Sequence, residues 1–216
     1  TTNISYTLTT AQTAFCMGQT RRLIFVWKND GAGGANPPAS IDNISLISRN
    51  AGTFVSIATG NWTVPSTWDI NTAPTAGDSV VITAGHTVTI DVASQTIAKA
   101  TVNGTLTYAT APTSLTVAGN LTVGATGAID AFNGTTGKTL IVSGNLTNNG
   151  TIDLSKTSSV LSLTGANAQT VGGTGAFASS TIAGLTFNNS NAVPTINWNF
   201  NNINVSGTLN FTKGWV

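Results

Sequence analysis

A short β-prone run closed by glycine recurs from Val80 to Leu209, and no other feature of this 216-residue chain constrains the fold as tightly. The units are Val80–Gly85, Thr101–Leu106, Leu115–Leu121, Leu140–Leu146, Leu161–Gly165, Thr181–Leu185 and Ile203–Leu209. Their glycines, at 85, 104, 119, 144, 165, 184 and 207, follow one another at about 20 residues on average. Two units align side by side: Gly119-Asn-Leu-Thr with Gly-Ala-Ile-Asp130, and Gly144-Asn-Leu-Thr with Gly-Thr-Ile-Asp153. That spacing predicts the coil of a β-solenoid, with short strands and turns of variable length. A β-sandwich also gives many short strands, but it needs no glycine at a fixed phase. A coil does need one, where the chain bends closely against the layer beside it.

Charge supports the same reading. The chain has eight basic and seven acidic residues, charged side chains make up 7%, and there is no Glu. Ordinary soluble domains carry about 25%. Thr, Asn and Gly fill the space, which removes good helix formers and excludes a helical bundle. Stacked coils place equivalent side chains about 4.8 Å apart, so a charge would meet its counterpart in the next coil. Thr and Asn can instead hydrogen-bond along the stack. A net charge of +1, with no basic cluster beyond Arg21-Arg22, excludes electrostatic binding to nucleic acid or to an anionic membrane.

The chain divides by texture into two predicted domains. Residues 1–50 read as the C-terminal strands of a β-sandwich: Ile4–Leu8, Leu23–Trp27 and Ile41–Ile47, with a turn-rich loop at Lys28–Pro38. Three strands do not bury a sandwich core alone, so the others are expected from upstream sequence or a neighbouring chain. Residues 51–216 read as the solenoid, opening on a Trp-rich cap at 51–79. The longest apolar run, Leu23–Trp27, is far too short to insert in a membrane. No signal peptide is visible, and both ends fall in mid-pattern, as in a piece of a longer polypeptide. The single Cys16 forms no internal disulfide.

The segment Gly60-Asn-Trp62, Ser66-Thr-Trp-Asp69 and Pro74-Thr-Ala-Gly-Asp-Ser-Val-Val-Ile-Thr-Ala-Gly-His-Thr-Val-Thr-Ile-Asp91, followed by Gly104-Thr-Leu106, resembles the start of the eight-glycine domain family and its bacterial relatives. The resemblance spans about 50 residues. It implies an extracellular right-handed parallel β-helix, with polysaccharide as a ligand proposed for some members. Phe25–Gly31 and Asn36–Ile47 resemble the closing strands of a jelly-roll that precedes such helices in Bacteroidota surface proteins. Export by the type IX secretion system is what that resemblance implies.

Few residues can carry chemistry. His86 has no second His, no Glu and no Cys pair beside it, so a turn side chain bonded to backbone is expected rather than a metal ligand or triad member. Asp30 and Asp42 flank the loop that closes the sandwich. Resemblance to calcium-binding jelly-rolls makes them candidate ligands of a structural Ca²⁺, against simple Asx turns. Trp62 and Trp68 are candidates either for stacking on sugar rings or for plugging the first coil against edge association. Asp78-Ser79-Val80 fits a bacterial O-glycosylation pattern with Ser79 as acceptor. Thr-x-Thr at 7–9, 87–89 and 105–107 reads as ordinary β-propensity rather than an ice-binding array. Asp130 and Asp153 recur in aligned units and are expected on one face, with Lys138 and Lys156 the only other charges of the coils from 101 to 209. That set lacks the clustered acids and bases of a polysaccharide lyase or hydrolase, so no catalytic residue is expected. The expected function is a non-catalytic stalk or filament segment of a large bacterial surface protein, self-associating through its sandwich strands and solenoid end. A carbohydrate-binding module is the alternative.

Overall fold

The structure, a computed structural model, describes residues 51–110, 114–130, 137–191 and 196–213. The sandwich predicted for 1–50, and with it Cys16, Asp30 and Asp42, lies outside them. The described residues form a parallel β-solenoid of about six turns, and every third strand stacks on the same face. The first face holds β1 (Thr53–Val55), β3 (Ser79–Ile82), β6 (Lys99–Val102), β9 (Leu121–Val123), β12 (Leu146–Asn148), β15 (Gln169–Gly172) and β17 (Ile196–Trp198). The second holds β2 (Gly60–Asn61), β4 (Thr87–Ile90), β7 (Thr105–Tyr108), β10 (Ala128–Asp130), β13 (Thr151–Leu154) and the start of β16 (Ala176–Asn188). The third holds β5 (Ser94–Ile97), β8 (Ser114–Val117), β11 (Thr139–Val142), β14 (Val160–Leu163) and the end of β16. The last described strand, β18 (Asn204–Lys213), pairs with β16.

Alternation makes each strand and register makes the core. Val80 and Ile82, Val88 and Ile90, and Leu115 and Val117 point inward, while Ser79, Val81, Thr87, Thr89, Ser114 and Thr116 point outward. Parallel pairing then stacks like on like. On the third face Leu115, Leu140, Leu161, Leu185 and Leu209 form one column, and Val117, Val142, Leu163, Phe187 and Phe211 form the next. Each fully buried side chain of this size is worth about 1.5–3 kcal/mol, and the columns join into one apolar core. The outward positions stack too: Thr101, Thr122 and Thr147 share a column, and Thr87 and Thr89 lie beside Thr105 and Thr107. Two of the three Thr-x-Thr motifs are therefore neighbours rather than scattered, but the next rung replaces them with Ala128 and Asp130. The first motif, at 7–9, lies outside the described residues.

The glycines occupy two corners rather than one phase. Gly104, Gly127, Gly150 and Gly175 stack where the first face turns into the second, linked by Ala128 N–H to Gly104 O, Thr151 N–H to Gly127 O and Ala176 N–H to Gly150 O, each at 2.8–3.0 Å. A Cβ on Gly150 would collide with the carbonyl oxygen of Gly127, and one on Gly175 with that of Gly150. Gly119, Gly144 and Gly165 mark the corner between the third and first faces, where Gly144 N–H reaches Gly119 O at 3.0 Å. Gly184 and Gly207 sit inside β16 and β18 instead. Counting both corners as one shortened the expected coil. From register partners, Phe54 to Val80 is 26 residues, Val80 to Ala100 is 20, Leu121 to Leu146 is 25, and Val171 to Trp198 is 27.

Between the second and third faces of the coil that β16 belongs to, the strand runs on through a bend at Ser179 and Ser180, whose φ values of 54° and 49° lie in the left-handed region. One strand thereby serves two faces. Among the polar side chains that enter the interior are Asn148, Gln169 and Asn189, each bonded to backbone. Asn148, at the end of a column of Ile82, Val102 and Val123, donates to Ala176 O (2.9 Å) and accepts from Gly150 N–H (3.1 Å). Gln169 donates to Val142 O and Gly144 O and accepts from the Asn189 amide at 2.8 Å.

Candidate functional site

With Asp30 and Asp42 outside the described residues, four candidate features lie among them: the Trp pair at the first coil, His86, Ser79, and the charged turns around Asp130 and Lys138. The Trp pair is built by the segment 53–69. A one-turn 3-10 helix at Pro65–Thr67 folds back over the first coil, and a single antiparallel bridge, Ser56 to Trp68, closes it. Trp62 is 1% and Trp68 0% exposed, so neither indole offers a face to a sugar ring. They meet edge to face at 5.1 Å, Phe54 meets Trp68 at 6.3 Å, and Trp68 Nε1 donates to Trp62 O at 2.8 Å. The pair plugs the core.

Carboxylates fasten this lid. Asp69 accepts from Val55 N–H with its side chain and donates its own N–H to Val55 O, both at 3.0 Å, which occupies the outer edge of β1. Asp78 is fully buried and accepts from Gly52 N–H (3.0 Å), Thr75 N–H (2.6 Å) and the Thr75 hydroxyl (3.0 Å). Asp91 accepts from the amide and hydroxyl of Thr63. His86 is half-buried with Nδ1 3.0 Å from both Ser56 Oγ and Ser56 O, a turn residue bonded to the lid. Ser79 is half-buried on β3, between Thr53 and Lys99 in register, and its N–H donates to Gly52 O at 2.8 Å.

Asp130 and Asp153 are register partners in adjacent coils, on the outward side of the second face. Lys138 and Lys156 lie in the turns that follow those two strands. Lys138 is buried, donating from Nζ to Ala109 O (2.6 Å) and Thr110 O (3.2 Å) of the preceding coil. Burial, and then the charge of Lys156, hold its ammonium below the usual lysine range. Asp153 accepts from the amide and hydroxyl of Ser155 at 3.0 and 2.7 Å. These charges tie turns and coils together.

No group of three or more His, Cys, Asp or Glu is placed to hold a metal among the described residues. A shallow groove of about 250 Å³ at the last coils is lined by Thr157, Ser158, Gly184, Gly207 and Thr208, among others, without an ionisable side chain. Sequence reasoning missed the aromatic group at the far end. Phe177 stacks on Trp198 at 6.1 Å, Phe187 on Phe211 at 5.1 Å, and Phe200 packs edge-on against Phe177 at 5.2 Å. The density of Phe and Trp between 177 and 211 was the available signal.

The fold and its lid thus define a parallel β-solenoid with one built end, a β-helix. Residues 67–131, just under a third of the chain, match the family model of the G8 domain, a domain of extracellular type. The match begins inside the lid and ends one residue past β10, the fourth strand of the second face. A search of curated proteins and a search of solved structures each gave no significant match. No helix among the described residues is long and apolar enough to cross a membrane.

Proposed function

We propose that this chain is a non-catalytic structural segment, a stalk that spaces other modules away from the surface of a bacterial cell. The observation that carries the reading is the set of stacked core columns, which join into one apolar core between the Trp lid and the last described rung, beneath an outer surface of Thr, Ser and Asn. Stacked coils of this kind gain length by repetition, and each coil contacts only its neighbours. The similarity to the G8 domain supports an extracellular setting. Origin in a Bacteroidota surface protein with type IX export, a jelly-roll ahead of the helix, and O-glycosylation at Ser79 are parts of the same proposal, resting on sequence resemblance.

The test exploits modularity. Duplicating Leu121–Asn145 in frame adds one coil and should lengthen the solenoid by about 4.8 Å. Small-angle scattering reads the length, and circular dichroism reads retention of β structure. A chain that collapses or aggregates on adding a whole coil is not a modular spacer. Depolymerisation of any polysaccharide by the purified chain would also overturn the reading. The alternative, a carbohydrate-binding module, has lost its aromatic platform to burial of Trp62 and Trp68. A saccharide that shifts the fluorescence of the buried pair would restore it.

A further inference from the structure

Asparagine is a thermolabile residue, and before glycine it is at its most reactive, because glycine lets its own nitrogen swing onto the asparagine side chain. The chain has three Asn-Gly pairs, at 103–104, 133–134 and 149–150. The middle one lies outside the described residues. The other two sit at the corner between the first and second faces, where the residues before the stacked glycines are Asn103, Thr126, Asn149 and Thr174. Asparagine and threonine thus alternate along the corner, and the threonine of the next coil bonds each asparagine. Thr126 Oγ1 donates to Asn103 O at 2.8 Å. Asn149 Oδ1 accepts from Thr174 N–H at 3.1 Å and from the Thr174 hydroxyl at 3.3 Å.

Deamidation at this site forms a bond from Gly150 N to Asn149 Cγ and breaks the Cγ–Nδ2 bond. The amide nitrogen leaves as ammonia with the Gly150 proton, and water then opens the imide to aspartate or isoaspartate. Both reacting groups are held away from that path. Gly150 N–H donates to Asn148 Oδ1 at 3.1 Å, and Asn149 N–H donates to Val123 O at 2.8 Å. The Asn149 side chain is drawn to the opposite side, onto the turn of the following coil. At the other pair, the Asn103 and Gly104 amides both donate to Ile82 O, at 2.8 and 3.1 Å. With Asn103 O also bonded to Thr126, the peptide is pinned on both sides. We propose that Asn149–Gly150 is a latent deamidation site, held unreactive by Thr174 of the next coil, and that Thr126 guards Asn103–Gly104 in the same way. An isoaspartate would add a methylene to the main chain at a corner where Gly150 O must meet Ala176 N–H at 2.9 Å. The guard therefore preserves the stacking, and the site reacts when the coil above it lifts. This inference does not depend on the stalk proposal.

The test incubates the full chain in mildly alkaline buffer, folded and in concentrated urea, and follows Asn149 by peptide mapping with mass spectrometry. Deamidation should be at least about tenfold slower in the folded chain, because reaction waits on local opening. Thr174 is exposed, so its truncation leaves the core intact. Thr174→Ala should speed deamidation at Asn149 about two- to tenfold, as loss of one hydrogen bond does. Thr174→Ser, which keeps the hydroxyl, should restore the slow rate. Gly85→Ala strains a turn three coils away and controls for general loosening. It should leave the rate at Asn149 unchanged. Equal rates in the folded and unfolded chains overturn the proposal. So does a Thr174→Ala rate equal to that of the unaltered chain, or a Thr174→Ser rate equal to that of Thr174→Ala. A Gly85→Ala chain that reacts as fast as Thr174→Ala also overturns it, since the site would then open only with the whole stack.

Discussion

The Trp68 indole N–H donates to the Trp62 carbonyl at 2.8 Å, and the two rings lie edge to face at 5.1 Å, so each tryptophan fixes the other. Trp68→Ala removes a fully buried ring from the end of the core and should destabilise the chain by about 3–5 kcal/mol. Trp68→Phe keeps most of the apolar volume but loses the hydrogen bond and should cost clearly less. Urea titration of both variants measures the difference. Equal losses would mean that ring volume is not what the lid contributes.

Glycine substitutions separate two kinds of constraint. At Gly150 the obstacle is contact, because a Cβ would strike the Gly127 carbonyl, and Gly150→Ala should destabilise by about 1–3 kcal/mol or more. At Gly85 there is open space but φ is +85°, so Gly85→Ala should cost about 1–2 kcal/mol through backbone strain alone. Gly85→Asn should recover part of that loss, and Gly150→Asn should recover nothing. Thermal melts of the four variants check the pattern.

These two positions also show where the sequence was legible. The solenoid followed from β-runs punctuated by glycine, and the alternation of Val80–Ile82 or Leu115–Val117 survived intact in the strands. The phase did not. Gly104 and Gly119 look alike in sequence but turn different corners, which is visible only once register pairs Gly104 with Gly127 and Gly119 with Gly144. The plug role of Trp62 and Trp68 was readable from their place in a turn-rich opening. The exposure of Leu209 and Phe211 was not, because β18 alternates like an interior strand and only the absence of a neighbouring rung, among the described residues, exposes it. Gln169 and Asn148 were opaque for a related reason: their amides donate to backbone carbonyls of other coils.

Asparagine at the corner between the third and first faces links successive coils. Asn145 N–H donates to Asn120 Oδ1 at 3.0 Å, and Thr170 N–H donates to Asn145 Oδ1 at 2.9 Å. Asn120→Ala and Asn145→Ala should each cost about 1 kcal/mol. Because Asn145 is itself bonded to Asn120, the two sites are neighbours in one stack, and the double variant should depart from additivity by about 0.5 kcal/mol or more. Denaturant midpoints at constant slope provide the check.

Alkaline pH should expose a buried phenol. Burial pushes the Tyr108 hydroxyl well above its ordinary value near 10. A raised folded-state value means that the folded chain holds the proton longer than the unfolded chain. The stability from this group is complete below about pH 10 and falls as pH rises beyond it. Lys138 runs the other way: its lowered value penalises folding while it is charged, and that penalty lifts as pH rises towards the unfolded lysine value of about 10.4. Tyr108→Phe should therefore flatten the alkaline loss of stability, and Lys138→Met should steepen it. Unfolding free energies between about pH 8 and pH 12 distinguish the two, and parallel curves for both variants would contradict the assignment.

The sealed first coil sets an order of events in time. In a stack whose layers touch only their neighbours, melting starts at the layers with the least cover. The first coil is not one of them, because Trp62 and Trp68 lie buried beneath the turn at Pro65–Thr67 and beside Phe54. Heat, a protease or a pulling force should therefore open other rungs before the lid. The tryptophan fluorescence of the sealed coil would then be the last signal to change.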